Sequence, residues 1–170
     1  IGVRMGSGHV LFQAPGFRES RSLDDRLSES EVSAALAALA VLDARMAPLA
    51  TTVRLSTSGL ASSATSALPV MIDGVDPEAE SGFSHAAESV MEGRYLEADD
   101  RLAGYVGTGV AERLGLSVGS RLVLTAQSTD GEIEGQLVRV VGVFRTGLPE
   151  VDEGLVHIPI STARSWLEAE

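Results

Sequence analysis

Residue types that do chemistry in enzymes are present in this sequence, but each group lacks part of the spacing that its chemistry needs. Gly107-Thr108-Gly109-Val110-Ala111-Glu112 opens like a dinucleotide fingerprint, with Gly-x-Gly leading into a predicted helix. The third glycine of that fingerprint is replaced by Glu112, whose carboxylate would sit where a pyrophosphate must lie. No βαβ unit with a ribose-binding acid follows. The run therefore reads as a tight strand-to-helix turn, in which glycine supplies either a positive φ or room for close packing. His9, His85 and His157 lie far apart and make no His-x-x-x-His pair, so each reads as a structural histidine. Ser84-His85 stands near Glu88, but adjacency in sequence does not build a triad, and a Gly-x-Ser-x-Gly elbow is absent. Glu97-Ala98-Asp99-Asp100 and Glu150-Val151-Asp152-Glu153 are the densest acidic groups. Neither has calcium-loop spacing, and both read as solvated loops. No catalytic, cofactor-binding or metal-ligating residue is nominated, and no cofactor is expected.

Composition narrows the classes further. The 170 residues carry 13 basic and 24 acidic side chains, a formal charge of −11. Nucleic acid requires clustered Lys and Arg to displace counterions, so no nucleic-acid partner is expected. The same balance disfavours lying flat on an anionic bilayer. A hydrophobic content of 44% fits a packed domain. With only four Phe, two Tyr and one Trp, aliphatic residues must fill most of the core. The absence of cysteine excludes disulfides, thiolate zinc sites and a thiol nucleophile. The longest apolar stretch, residues 34–42, is nine residues, against about 20 for a membrane span. No signal peptide is read in residues 1–20, and the chain as given is expected to be soluble.

The elements that must position these residues are mixed. Residues 9–13 read as a strand ended by Ala14-Pro15-Gly16, and residues 18–26 as a surface connection. Ser28 and Glu31 form a Ser-x-x-Glu capping box for a helix over 28–46. Its face of Val32, Leu36, Leu39 and Ala40 is expected to pack on a sheet, and Pro48 stops it. Residues 51–56 and 68–72 read as a hairpin, with a turn signal at Ser58-Gly59. Residues 77–91 read as a helix, with Pro77 in its first turn and Gly93 beyond its end. Residues 103–106 form a predicted strand running into a helix at 108–114, closed by Gly115. Residues 121–125 and 135–144 pair across Thr129-Asp130-Gly131. Residues 155–159 form a last strand and 161–167 a last helix, with Ser161 as its N-cap.

Four short motifs then recur in a particular order: Asp73-Gly74-Val75-Asp76-Pro77, Gly93-Arg94-Tyr95-Leu96, the segment from Val106 to Gly119, and Val140-Val141-Gly142-Val143-Phe144-Arg145-Thr146-Gly147. Their order and spacing resemble the extracytoplasmic (periplasmic core) domain of MacB-type, FtsX-like ABC transporter permeases, nearest the lipoprotein-releasing permeases. The motifs cover roughly residues 70–168, and residues 8–68 agree in pattern alone. The resemblance implies an α+β fold in which a porter-like α/β lobe, 1–76 and 145–170, carries an inserted smaller, mostly β lobe, 77–144. It implies placement on the periplasmic or extracytoplasmic face of the inner membrane, within a multi-pass protein. The partners implied are an ABC ATPase subunit, a second permease subunit as homo- or heterodimer, and a lipoprotein or other hydrophobic substrate. One departure is visible: the 127–132 connection is short, polar and acidic. It therefore lacks the projecting loop with which such members recruit a carrier.

The function implied is coupling of ATP hydrolysis to export or extraction of a substrate, by binding and rigid-body motion rather than catalysis. Two other classes compete. One is an FtsX-like regulatory domain that binds a partner such as a cell-wall hydrolase, and the other is a small soluble hydrolase.

Overall fold

Alternation of apolar and polar residues sorts most strands onto two faces, and the strand pairings then wrap those faces around separate cores. The computed structural model describes residues 10–20, 22–42, 47–48, 50–82 and 84–169. The strands are β1 (Arg54–Ser62), β2 (Ala67–Val75), β3 (Val90–Gly93), β4 (Ala103–Gly107), β5 (Arg121–Gln127), β6 (Ile133–Phe144) and β7 (Leu155–Pro159). The helices are α1 (Phe17–Ser20), α2 (Glu29–Ala40), α3 (Pro77–Ser81), α4 (His85–Glu88), α5 (Thr108–Leu114), α6 (Pro149–Asp152) and α7 (Ile160–Leu167). None of these helices is long and apolar enough to cross a membrane.

The seven strands form one sheet in the order β3-β6-β4-β7-β2-β1-β5. Since β5 also pairs with β6, the pairings close into a circuit through six strands. The β2–β7 and β4–β6 pairs are parallel and the others antiparallel. Strands from residues 77–144 (β3 to β6) interleave with strands from the flanking ranges: β7 lies between β4 and β2, and β5 pairs with β1. Backbone hydrogen bonds therefore join the two ranges directly.

The larger core gathers Leu68, Val70 and Ile72 from β2, Leu122 and Leu124 from β5, and Val156 and Ile158 from β7. α5 adds Val110 and Leu114, and α7 adds Ala163, Trp166 and Leu167. Isolated helices this short are unstable in water. Each buried aliphatic side chain contributes about 1.5–3 kcal/mol by leaving it, so packing is what holds α5 and α7. A second cluster occupies the opposite face: Val75, Leu96, Ala103, Tyr105 and Phe144.

Several expected elements differ in the fold. Residues 10–13 form no strand, and Val10, Leu11 and Phe12 are exposed, with no strand among the described residues pairing with them; His9 lies outside the described residues. The capping box is present: Ser28 N–H donates to Glu31 Oε2 at 2.8 Å, and Glu31 N–H to Ser28 Oγ at 3.3 Å. The helix it starts buries no residue, so the expected packing on a sheet is not made. Alanine on most sides gives α2 too little apolar contrast to define a packing face. The expected end at Met46 lies outside the described residues.

Ser58-Gly59 lies within β1, and the hairpin turns at 63–66 instead, where Ser63 N–H donates to the Ser66 carbonyl at 2.8 Å. A Cβ on Gly59 would come within 2.5 Å of the Thr125 carbonyl, so this glycine serves the close β1–β5 approach. The helix expected over 77–91 is broken at Gly82 into α3 and α4, and its last residues belong to β3. α7 starts at Ile160 after Pro159, and Ser161 does not cap it.

Candidate functional site

On the second face, the strand register lines up residues that are remote in sequence. Asp73 of β2 stands opposite His157 of β7, and His157 stands opposite Tyr105 of β4. Arg54, at the start of β1, reaches across β2 to the same spot. Glu80, from α3, closes it. Asp76 brings α3 there by capping it, its Oδ1 accepting from Glu78 N–H at 3.0 Å and Ala79 N–H at 3.3 Å.

The strongest contact is a forked ion pair. Arg54 donates from Nε to Glu80 Oε1 at 2.7 Å and from Nη2 to Oε2 at 2.6 Å. The Thr52 hydroxyl adds a bond to Glu80 Oε1 at 2.7 Å. Such bidentate, charge-assisted pairs are roughly twice as strong as neutral hydrogen bonds. Glu80 is fully buried at 0% exposure, while the Arg54 side chain keeps 18%. Arg54 Nη1 also lies 3.8 Å from Asp73 Oδ2, which in turn lies 4.0 Å from His157 Nε2.

Ionisation follows from this packing. Burial pushes the Glu80 carboxyl up, but the Arg54 fork and charge and the Thr52 bond outweigh it and hold it below its ordinary value. Burial dominates at His157 and lowers it, with Asp73 opposing and Arg54 assisting. The histidine is therefore neutral at pH 7. Neither of its ring nitrogens has a hydrogen-bond partner among the described residues. Its ring is surrounded instead by Tyr95, Tyr105 and Phe144, at centroid distances of 6.4, 6.4 and 6.2 Å. Burial raises both tyrosines well above the ordinary phenol value; Tyr105 Oη donates to the Ala86 carbonyl at 2.8 Å.

Acid, base and hydroxyl groups are thus assembled, but in a closed compartment. An open groove lies elsewhere and is lined by none of these residues. The arrangement ties β1, β2, β7 and α3 together. Its chemistry is that of a buried structural ion pair beside a neutral histidine.

Most of the residues weighed from sequence fall outside this cluster. Gly107 has φ −66° and starts α5. A Cβ there would run into the Asp152 carbonyl, and one on Gly109 would lie 2.5 Å from Glu153 Cγ. Close packing of α6 is therefore what the two glycines permit, and positive φ plays no part. Ser84 and His85 share no side-chain hydrogen bond among the described residues.

Two acids expected in solvated loops are bonded instead. Asp100 pairs with Arg94 through bonds of 2.7 and 2.8 Å. Asp152 is buried and accepts from Thr146 N–H at 2.7 Å, Thr146 Oγ1 at 2.8 Å and Gly147 N–H at 3.0 Å. Among the described residues no three His, Asp or Glu gather to hold a metal.

The Arg54–Glu80 pair was missed from sequence. Its available signal was Arg54 and Asp73, charged residues within or directly after two predicted strands, where a charge on a buried face needs a partner.

Comparison with known proteins completes the picture. The family model for MacB-like periplasmic core domains matches residues 3–170. Among solved structures, the chain is similar to the extracellular domain of the noncanonical ABC-type transporter YknZ from Gram-positive bacteria. The TM-score is 0.60 at 18% identity, and the match covers 91% of this chain and 73% of that one. That likeness is one of fold. No curated protein sequence matches the chain.

Proposed function

The chain belongs to the MacB-like periplasmic core domain family and is an extracytoplasmic domain, and from that premise we propose that it serves an ABC transporter permease subunit as a coupling module. In this reading the full-length protein engages a cytoplasmic ABC ATPase and a second permease subunit, as homo- or heterodimer. ATP hydrolysis then moves the domain as one body against its partner, to export or extract a hydrophobic substrate such as a lipoprotein. The domain itself performs no chemistry.

One observation supports the rigid-body element above the others. Six of the seven strands, drawn from residues 54–75, 103–144 and 155–159, are joined in a single hydrogen-bonded circuit, which favours motion of this part of the chain as one body. The Arg54–Glu80 fork reinforces the circuit by fastening α3 to β1. Closure of the acid–base cluster supports the non-catalytic element.

The test uses the full-length permease. A cross-link joining two facing domains is expected to stop transport, while Glu97→Ala, Asp99→Ala and Glu153→Ala each leave it largely intact. Asp100 and Asp152 are not suitable for this comparison, because they anchor loops. Loss of transport in one of the three variants, with normal expression and ATPase assembly, would show that the domain does more than couple motion.

A further inference from the structure

The outer face of β5 and β6 carries an arrangement with no role in the closed cluster. A groove of about 490 Å³ lies between residues 100–103 and these strands, with Leu102, Leu137, Val141, Arg101, Arg121 and Arg139 in its lining. Leu102 and Leu137 remain 56% and 47% exposed. None of the three arginines has an ion-pair partner among the described residues. The carboxylate at the rim, Asp100, is already taken by Arg94.

Register makes this concentration of positive charge more pointed. Arg121 stands directly opposite Arg139 in the β5–β6 ladder, and like charges so placed destabilise a strand pair. Arg139 Nη1 is held by the Gly119 carbonyl at 2.8 Å, and Arg101 Nη1 by the Asp100 carbonyl at 3.2 Å. Carbonyl acceptors orient a guanidinium but leave its charge unneutralised. On a chain of formal charge −11, the lining of this groove nevertheless holds three arginines against one carboxylate, Asp100.

We propose that this groove binds a single-tailed amphipathic anion. A phosphate or carboxylate head would bridge Arg121 and Arg139, with Arg101 beside it, and the apolar tail would lie along Leu102 and Leu137. Guanidinium forks match such oxyanions in geometry. The groove has the size of a small-ligand site and is well short of a folded partner's footprint. The overall negative charge opposes docking on an anionic bilayer, so the occupant is one molecule rather than a membrane surface. This inference stands independently of the transport reading.

Isothermal titration of the 170-residue chain tests it with dodecyl phosphate below its micelle concentration. The comparison probes are inorganic phosphate, dodecyl maltoside, a Leu-Glu peptide and phosphatidylglycerol vesicles. Dodecyl phosphate is expected to bind at least tenfold more tightly than inorganic phosphate or the maltoside. Arg121→Gln and Arg139→Gln should each weaken it tenfold or more, with Arg121→Gln, which gives up no described hydrogen bond, melting at or above the parent temperature since a repulsion is relieved. Equal binding of inorganic phosphate, equal binding of the neutral detergent, or binding confined to the peptide or the vesicles would each overturn the proposal. So would failure of dodecyl phosphate to bind, unchanged affinity in the double variant, or a marked fall in the melting temperature of Arg121→Gln.

Discussion

Arg54→Ala tests whether the buried ion pair holds the second face together. The substitution leaves the fully buried Glu80 carboxylate with Thr52 as its remaining described hydrogen-bond donor. Removing one partner of a buried pair costs about 3–5 kcal/mol, because the other charge stays desolvated. At about 2–4 °C per kcal/mol for a chain of this size, melting should fall by about 6–20 °C. The dependence on pH separates this cause from simple loss of packing.

In the parent, Glu80 titrates below its ordinary value of about 4.5. Its contribution is therefore fully present above that value and lost as pH falls through the lowered folded one. In the variant, burial acts without the opposing guanidinium and should raise Glu80. Its folded form then binds protons more readily than the unfolded chain, and stability falls as pH rises above about 4.5. The gap between parent and variant should thus be widest at pH 7 and narrow towards pH 4. Urea unfolding at both pH values measures it. A gap below about 1 kcal/mol, or one independent of pH, would refute the argument.

Two further outcomes follow from the packing. Gly107→Val and Gly109→Val should each destabilise the chain by about 1–3 kcal/mol through overpacking against α6, measured by urea midpoints; an unchanged midpoint in both would mean that α6 yields freely. His157 should stay neutral in imidazole NMR shifts across the range where ordinary histidines titrate. Because its folded value lies below the unfolded one of about 6.5, the stability tied to it is full above that pH and shrinks as pH falls towards the folded value. A titration midpoint at or above about 6.5 would contradict the closed compartment.

Elements with strong local signals were legible in the sequence. The capping box at Ser28 and Glu31, the strand-to-helix turn into α5, the Thr129-Asp130-Gly131 hairpin and the last strand and helix all rest on interactions within a few residues. Where expectation and structure part, the deciding interaction is remote. Ser58-Gly59 has the composition of a turn, but β5 lies against Gly59 and makes it part of a strand. Residues 10–13 have strand-like composition, but no strand among the described residues lies beside them. Asp100 and Asp152 belong to acidic runs, yet fixed donors from Arg94, Thr146 and Gly147 take them out of the solvent-facing role.

Alone, then, the sequence determined the mixed α and β composition, most element types, the negative charge that argues against nucleic acid, and the ordered motifs that carry the family. These depend on local backbone preference, on composition and on residue spacing, all of which can be read along one dimension. Tertiary structure decided which strands lie side by side, and with that the two sets of residues that matter most here. Arg54, Asp73, Glu80 and His157 meet because β1, β2 and β7 are neighbours in register and α3 folds back beside them. Arg121 and Arg139 face each other because β5 and β6 pair with that register. A slip of one residue would turn each strand's side chains to the opposite face; alternation and turn geometry oppose that slip within the hairpins, but which remote strands pair, β2 with β7 and β1 with β5, is decided only by the assembled core.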